Sequence, residues 1–588
     1  MISNKPNYIM NRNTIIKSLT VLALTVSAGC TNLDEKLYST VGSDNYYNTK
    51  GDVERAVGRP FEHAFATIQE RQVLQELTAD QLITPVRDGW WDDGGRWRRY
   101  HYHTWNLEDS PQILYLWNGQ YQGIGQCNWV IEDLESLDPK KFGYTESEFN
   151  DMKAQCRTLR SMFYLTLLDA FRNCPLVVSF YDQSKNTKTQ VEPKVLFEFI
   201  ESELKECIKL LGTKESLGSQ AMVQGKWTKA SAAALLVRLY LNAEVYIGED
   251  RYSDCARVCQ EILDGVYGPY RVADRWDAAF DWDNNNCDEV IFGYPASSGY
   301  SYWHYSGEVY WYAVPSQARY YLKDSKCKAG EHNVKYAASP SYDVDGTLYN
   351  YKLGMPIQNF RKYPGDERMK LYRNLGNSKR EGMFLFGYLE YVNDNGKTAR
   401  VRAPERPYDL YIRDAVGNFQ DMAPDVWPTG QTSNLMNGDH NSGWHFVKYP
   451  MYTDEDEHQL ESDYTEIRLP EIIYSLAECK LRSGDTQGAA KLLNSVRARN
   501  YPAENLKEVL YKPEGKADLD MDEMLAEWGR EFFAEARRRT DLIRFGKFST
   551  GTWWDKTPDA DRHTEIFPLV RDVLDTNPDL KQNPGYTN

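Results

Sequence analysis

Apolar residues recur at helical spacing through both ends of the chain and lose that spacing in the middle. Met152–Asn173 sets Leu159, Met162, Leu165, Leu168 and Phe171 along one stripe, and Pro175 stops it, so a helix is expected there. Lys226–Tyr246 carries the small cluster Ala230, Ala232, Ala233 and Ala234 ahead of Leu235, Leu236, Leu239 and Tyr240. Gly248 separates it from a second helical pattern through Cys255, Val258, Cys259 and Ile262. Small residues on facing helices allow close approach, so the pair reads as a tight hairpin.

The design returns near the C-terminus. Pro470–Arg482, a break at Ser483-Gly484-Asp485 and Thr486–Arg499 form a second pair. Ala243 to Cys255 and Ala477 to Ala489 are both 12 positions apart, the spacing of small contact residues in tetratricopeptide helix pairs, although no regular 34-residue register runs through the chain. A third long helix is expected over Met521–Arg539, with Met524, Leu525, Trp528, Phe532 and Phe533 inward. Its Glu535, Arg537, Arg538 and Arg539 read as a solvated, locally paired face.

From about Val272 to Tyr464, Gly, Pro, Asn, Asp and Tyr rise and short alternating pieces such as Met383–Tyr388 replace helical periodicity. The pattern predicts a loop-rich region with a few short strands, and its length within a folded body marks it as functional. The expected fold class is mainly α, an irregular tetratricopeptide-like helical array with a variable, loop-rich ligand-binding region.

At the N-terminus Lys5, Arg12 and Lys17 precede Ser18–Gly29, an apolar and small-residue stretch of 12, well short of the roughly 20 residues that span a bilayer. It reads as an export signal. Val26-Ser27-Ala28-Gly29-Cys30 resembles the bacterial lipoprotein signal, in which the cysteine is acylated and becomes residue one; the alternative is an ordinary cleavage site beside a chance cysteine. Asn32-Leu33-Asp34-Glu35-Lys36 resembles the acidic tether of surface-exposed Bacteroidetes lipoproteins. The other nine cysteines are scattered without a staple spacing and are expected to be buried thiols.

The 588 residues are 41% apolar and 26% charged, enough to bury a core. Net charge is −16; once Lys5, Arg12 and Lys17 leave with the leader, 66 basic residues face 85 acidic ones, a balance of −19 that argues against nucleic acid.

No G-x-S-x-G, H-E-x-x-H, G-x-x-x-x-G-K-S/T or C-x-x-C occurs, so catalysis has no positive feature and no cofactor is implied. Gly123-Ile124-Gly125 lacks the third glycine of a dinucleotide loop and reads as packing. Asp281-Trp282-Asp283-Asn284-Asn285 begins like a calcium loop but lacks its glycine and its glutamate, which leaves turns built on Asx side chains. His101-Tyr102-His103 sets two imidazoles on one strand face without a third metal ligand.

Aromatic residues are 13% of the chain, with 41 Tyr and 16 Trp, more rings than a helical core needs. Trp90, Trp91 and Trp97 sit among Gly89, Gly94, Gly95 and charged residues, a poor core segment. A second cluster holds Tyr300, Tyr302, Trp303 and Tyr305 and continues to Trp311. Such rings stack on the apolar face of a sugar while neighbouring Asp, Asn and Arg bond its hydroxyls. These eight are the candidate ligand-binding residues, and the two clusters are expected to converge. Sealing of the helical body is the competing role for any one of them.

Three segments carry a family resemblance: Arg468-Leu469-Pro470-Glu471 running to Ala477-Glu478; Arg530–Arg537 followed by Asp541-Leu542-Ile543-Arg544-Phe545-Gly546; and the tail Asn577-Pro578…Gln582-Asn583-Pro584-Gly585-Tyr586. Together they resemble the RagB/SusD family of Bacteroidetes nutrient-binding outer-membrane lipoproteins. Ala536 stands where that family favours glycine, and Phe567-Pro568-Leu569-Val570 lacks a second proline.

The resemblance implies four irregular tetratricopeptide units, an irregular ligand-carrying region, and a SusC-like TonB-dependent transporter in the outer membrane over which the lipoprotein sits as a lid. The expected division is a signal peptide over 1–29, a helical region over 30–271, the ligand-binding region over 272–464 and a C-terminal helical region over 465–588. The expected activity is non-catalytic capture of oligosaccharide or polysaccharide, lipid-anchored through Cys30 and facing outward. Peptide or another nutrient on the same scaffold, a surface glycoside hydrolase and a pure docking scaffold are the rivals.

Overall fold

The computed structural model describes residues 46–217, 225–296, 308–323, 334–376, 379–451 and 462–587. Cys30, Tyr300, Tyr302, Trp303 and Tyr305 lie outside them. The chain divides into two units, residues 1–53 and 54–588. In the first, Asp52 accepts the backbone N–H groups of Asn48 and Thr49 at 3.0 and 2.6 Å, where helix α1 (Lys50–Ala66) begins.

The second unit is a succession of helices: α2 (Ile68–Leu77), α3 (Arg96–His101), α4 (Pro111–Ser136), α5 (Glu146–Phe171), α6 (Pro193–Leu210), α7 (Lys229–Leu241), α8 (Tyr252–Leu263), α9 (Leu469–Arg482), α10 (Thr486–Arg497), α11 (Met521–Glu531) and α12 (Arg538–Arg544). Each of α4 to α9 packs on the next in chain order, and α2 packs on α4. The contact of α8 with α9 bridges the whole 264–468 stretch, so the helical array continues as though that region were an insertion. Antiparallel pairing of Val290–Tyr294 with Tyr464–Arg468 brings the two ends of the insertion together, and Trp227 stacks on Phe292 there at 3.9 Å. Every sheet among the described residues has two strands.

Local chemistry explains the boundaries. Thr145 and Glu148 form a capping box, which starts α5 ahead of the apolar stripe at Met152; Thr228 and Ser231 do the same for α7. The expected break at Ser483–Asp485 is present, with Gly484 left-handed at φ 88° and Asp485 accepting the Gly488 N–H at 2.9 Å. The expected Lys226–Tyr246 helix is interrupted at Asn242, whose amide donates back to the Arg238 carbonyl at 2.9 Å; Ala243–Ile247 follows as a separate turn. Gly123 faces Phe163, and a Cβ there would come within 2.4 Å of the ring, so α4 and α5 need glycine at that contact.

The single helix expected over Met521–Arg539 is two. It stops at Glu531, the chain turns through Phe532–Arg537 with Ala534 and Ala536 left-handed at φ 60° and 56°, and α12 starts at Arg538. The turn also overturns the expectation of a solvated charged face. Arg538 is buried against Asp80 of the α2 end, Arg539 against Asp169 of α5 at 3.2 Å, and Arg537 is paired with Asp541 at 2.9 Å. Glu535 accepts from Arg468 Nε at 2.8 Å and from Lys448 at 2.6 Å. Reversal of the chain points Arg538 and Arg539 inward, where carboxylates of other elements compensate both guanidinium groups, while half-buried Arg537 keeps a local partner.

Cys127, Cys156, Cys174, Cys207, Cys255, Cys259 and Cys479 are buried free thiols and Cys287 is half-buried; burial raises the pKa of each except Cys479, where the hydrogen bond with Cys255 raises it first and burial second. Among the described residues no helix is long and apolar enough to cross a membrane.

Candidate ligand-binding site

Arg87 and Trp90 exchange both backbone hydrogen bonds, at 3.0 and 2.9 Å, around Asp88 and Gly89 at φ 51° and 92°. Two successive left-handed central residues define a type I′ turn, and Asp-Gly is the dipeptide that favours it. Trp90 leaves the turn 45% exposed, the one large ring of this segment turned to solvent.

The chain behind Trp90 is held from several sides. Trp91 is left-handed at φ 67°, and its indole N–H donates to the Val334 carbonyl at 2.9 Å. Asp93 is left-handed as well and accepts the Trp97 indole N–H at 2.5 Å, tying the loop to α3. Arg98 pairs with Asp92 at 3.0 Å and Arg96 with Asp109 at 3.5 Å. Trp97 is 4% exposed.

Lys335 joins the first cluster to Tyr312 and Tyr336. Trp91 and Tyr312 are edge-to-face at 5.6 Å, and the Lys335 ammonium lies 3.8 Å from the Trp97 ring, 4.9 Å from Tyr336, 5.2 Å from Trp91 and 5.6 Å from Tyr312. Desolvated cation–π contacts of this kind reach about 2 kcal/mol. Trp311, in the short helix Glu308–Trp311, is 9% exposed. Trp91, Trp97, Tyr312 and Tyr336 thus gather around a buried ammonium, with Trp90 exposed on the loop beside them.

Polar groups flank the turn. The Asp88 carboxylate accepts from Arg406 Nε at 3.1 Å, and His440 Nε2 lies 3.5 Å from the same oxygen. Burial and then the Arg87 charge bring the His440 pKa down to about 4, so it is neutral at ordinary pH. Arg87 is buried, and one of its Nη atoms donates to the carbonyls of Asp439 and Ser442 at 2.9 and 2.5 Å; burial lowers its pKa to about 10. Asp439 accepts the Phe419 and Gln420 N–H groups, at 2.8 and 2.6 Å, and burial pushes its pKa up to about 6. The backbone of Gly438 pairs with Arg87, and a Cβ there would meet the Val86 carbonyl at 2.7 Å. The result is an exposed indole on a rigid turn, edged by a carboxylate and a guanidinium.

Asp88-Gly89 is a legible turn signal in the sequence. Lys335, Arg406 and His440 had none, being far along the chain and unremarkable in their own segments. His101 and His103 are not on a strand: His101 ends α3 and bonds Asp555 at 2.7 Å, while His103 bonds Asp559 and the Thr78 carbonyl, both at 2.7 Å. Asp281 accepts the Trp282 N–H, and the Asn284 amide donates to the Ala279 carbonyl and, across 179 positions, to that of Asp463. Among the described residues no group of three or more His, Cys, Asp or Glu is placed to hold a metal.

The family model described as "SusD family" matches residues 288–586, half of the chain. The chain belongs to the SusD family. A second model, "Starch-binding associating with outer membrane", matches residues 33–241, which include the Trp90 turn. The curated starch-binding protein SusD of Bacteroides thetaiotaomicron is 22% identical over 508 residues, covering 79% of this chain and 76% of the relative.

Among solved structures, a SusD homologue from B. thetaiotaomicron has a TM-score of 0.64 at 16% identity, covering 92% of this chain and 98% of its own. A surface glycan-binding protein A from Bacteroides fluxus has 0.59 at 16%, covering 91% and 99%. The helical array is accordingly the tetratricopeptide-like scaffold of SusD-like proteins.

The three segments that carry the resemblance to SusD proteins are structural. Arg468 joins Glu289, Glu531 and Glu535 at 3.2, 2.6 and 2.8 Å at the end of the strand pair. Arg530 pairs with Glu527 at 2.5 Å inside the body. In the tail, the Asn583 amide donates to the Phe171 and Phe567 carbonyls at 3.1 and 2.7 Å, and Tyr586 donates to the Ile566 carbonyl at 2.8 Å.

Proposed function

We propose that the protein captures oligosaccharide or polysaccharide at the cell surface and passes it, uncleaved, to a SusC-like TonB-dependent transporter in the outer membrane. The carrying observation is Trp90, a large ring exposed on a turn whose Asp88 carboxylate accepts from the Arg406 guanidinium. A sugar ring stacks its C–H face on the indole, and its hydroxyls donate to Asp88 and accept from Arg406. An aromatic contact adds roughly 0.5–1.5 kcal/mol beyond area burial, so a shallow site of this kind binds at about micromolar to millimolar strength and releases readily.

Membership of the SusD family, the outer-membrane description of the second model and the starch-binding name of the curated relative support this reading. In it Trp91, Trp97 and Trp311 support the surface from behind, and Tyr300, Tyr302, Trp303 and Tyr305, outside the described residues, stay candidate ligand contacts. Acylation at Cys30 supplies the anchor: each buried methylene contributes about 0.8 kcal/mol, and two or three chains hold stably where one does not.

Electrophoresis through gels containing starch, laminarin or other polysaccharides tests the assignment, with calorimetry against a peptide panel beside it. Retardation by at least one polysaccharide without release of reducing ends is expected. Binding to peptides alone refutes the glycan reading, and release of reducing ends refutes the non-catalytic one.

A further inference from the structure

Three non-glycine residues in the Trp90 segment, Asp88, Trp91 and Asp93, hold left-handed backbone at φ 51°, 67° and 42°. Such conformations persist only where their surroundings over-determine them. Asp88 and Trp90 are fixed by the turn and by Arg406, and Asp93 by Trp97. Trp91 is fixed from the other side of the site, by the Val334 carbonyl and by the ring edge of Tyr312.

Lys335 lies at the junction of these contacts. It is 4% exposed, and its own N–H donates to the Tyr312 carbonyl at 2.7 Å, as does that of Tyr336 at 3.1 Å. Its ammonium approaches Trp97 at 3.8 Å and Trp91 at 5.2 Å. One buried charge therefore attracts a ring from the loop that presents Trp90 and a ring from the helix that ends that loop. An apolar side chain of equal length fills the same space without that attraction.

We propose that Lys335 is the positioning residue of the ligand site: its charge, shared among Trp91, Trp97, Tyr312 and Tyr336, holds Trp91 left-handed and so sets the orientation in which Trp90 meets a sugar. The proposal rests on the glycan reading only for its consequence in binding; its structural half stands apart from it. Lys335 touches no ligand in this scheme and acts through the indoles.

The test is fluorine NMR of the full chain carrying 5-fluorotryptophan, with the Trp90 and Trp91 signals assigned by their loss in Trp90→Phe and Trp91→Phe. Lys335→Met is expected to move both signals while leaving the melting temperature within a few degrees of wild type, and to weaken maltoheptaose binding at least fivefold. Lys335→Arg, which keeps a cation among the rings, is expected to restore both the signals and the affinity. Should Lys335→Met not fold, Lys335→Gln, which also removes the charge and keeps a polar end, is read in the same way. Trp90 and Trp91 signals at wild-type positions in the charge-free variant overturn the proposal. Wild-type protein that ignores maltoheptaose refutes that choice of glycan, and the fluorine spectra still decide the role of Lys335.

Discussion

Asp80 holds the guanidinium of Arg538 with both carboxylate oxygens, at 2.6 and 2.9 Å, across 458 positions of sequence and with both side chains buried. The pair ties the end of α2 to the start of α12, and thus the N-terminal helices to the C-terminal family segment. Removing one partner leaves the other as an uncompensated buried charge. Asp80→Asn is therefore expected to cost roughly 3–5 kcal/mol in denaturant unfolding. A change under about 0.5 kcal/mol contradicts the assignment.

Ala536 offers the opposite experiment. Its φ of 56° lies where an alanine Cβ is strained, and its N–H is fixed on the Glu76 carboxylate at 2.8 Å. Left-handed backbone costs a non-glycine residue about 1–2 kcal/mol, of which roughly 0.4–1 kcal/mol is offset by the larger unfolded-state freedom of glycine. Ala536→Gly should stabilise by about 0.5–1 kcal/mol, seen as a higher denaturation midpoint with an unchanged slope. Destabilisation excludes the left-handed turn.

How much of this was legible depends on the residue. Ser483-Gly484-Asp485 announces its break because glycine and a capping aspartate are the residues such a turn demands. Phe532–Arg537 does not, since its left-handed positions are alanines, and a helix-forming run containing them reads as continuous helix. The burial of Arg538 and Arg539 follows from that hidden turn, so the expected solvated face went with it.

At the site, Asp88-Gly89 and the density of rings are local features and mark the segment. Lys335 and Arg406 join it only through the fold: Trp91 bonds the backbone 243 positions away and Arg406 reaches Asp88 across 318. No periodicity or spacing carries information over such separations.

Glu76 makes stability depend on pH. Burial pushes its carboxyl up to about 8 against an ordinary 4.5, the Ala536 and Arg537 N–H groups and Arg538 opposing. A carboxyl with a raised folded pKa favours the fold fully below pH 4.5 and progressively loses that contribution as pH climbs to about 8. Glu76→Gln carries no such loss, so relative to wild type it should gain on the order of 4 kcal/mol between pH 4.5 and pH 8. Parallel stability curves for the two proteins over this window contradict a buried, proton-holding Glu76.

Cys30, outside the described residues, predicts a chemical fact. Mass spectrometry of protein extracted from the membrane fraction should find an N-terminal, acylated Cys30, and Cys30→Ala should move the protein into the soluble fraction. An unmodified Cys30 in membrane-derived protein removes the anchor.

The central claim is that Trp90 is the ring on which sugar stacks, and calorimetric titration of wild type and Trp90→Ala with the glycan that the wild type retains in gels tests it most directly. Loss of the stacking contact and its buried area, about 1–2 kcal/mol, predicts a 5- to 30-fold weaker affinity at an unchanged melting temperature. Equal affinities in the two proteins would place the ligand elsewhere and contradict the site described for this family member.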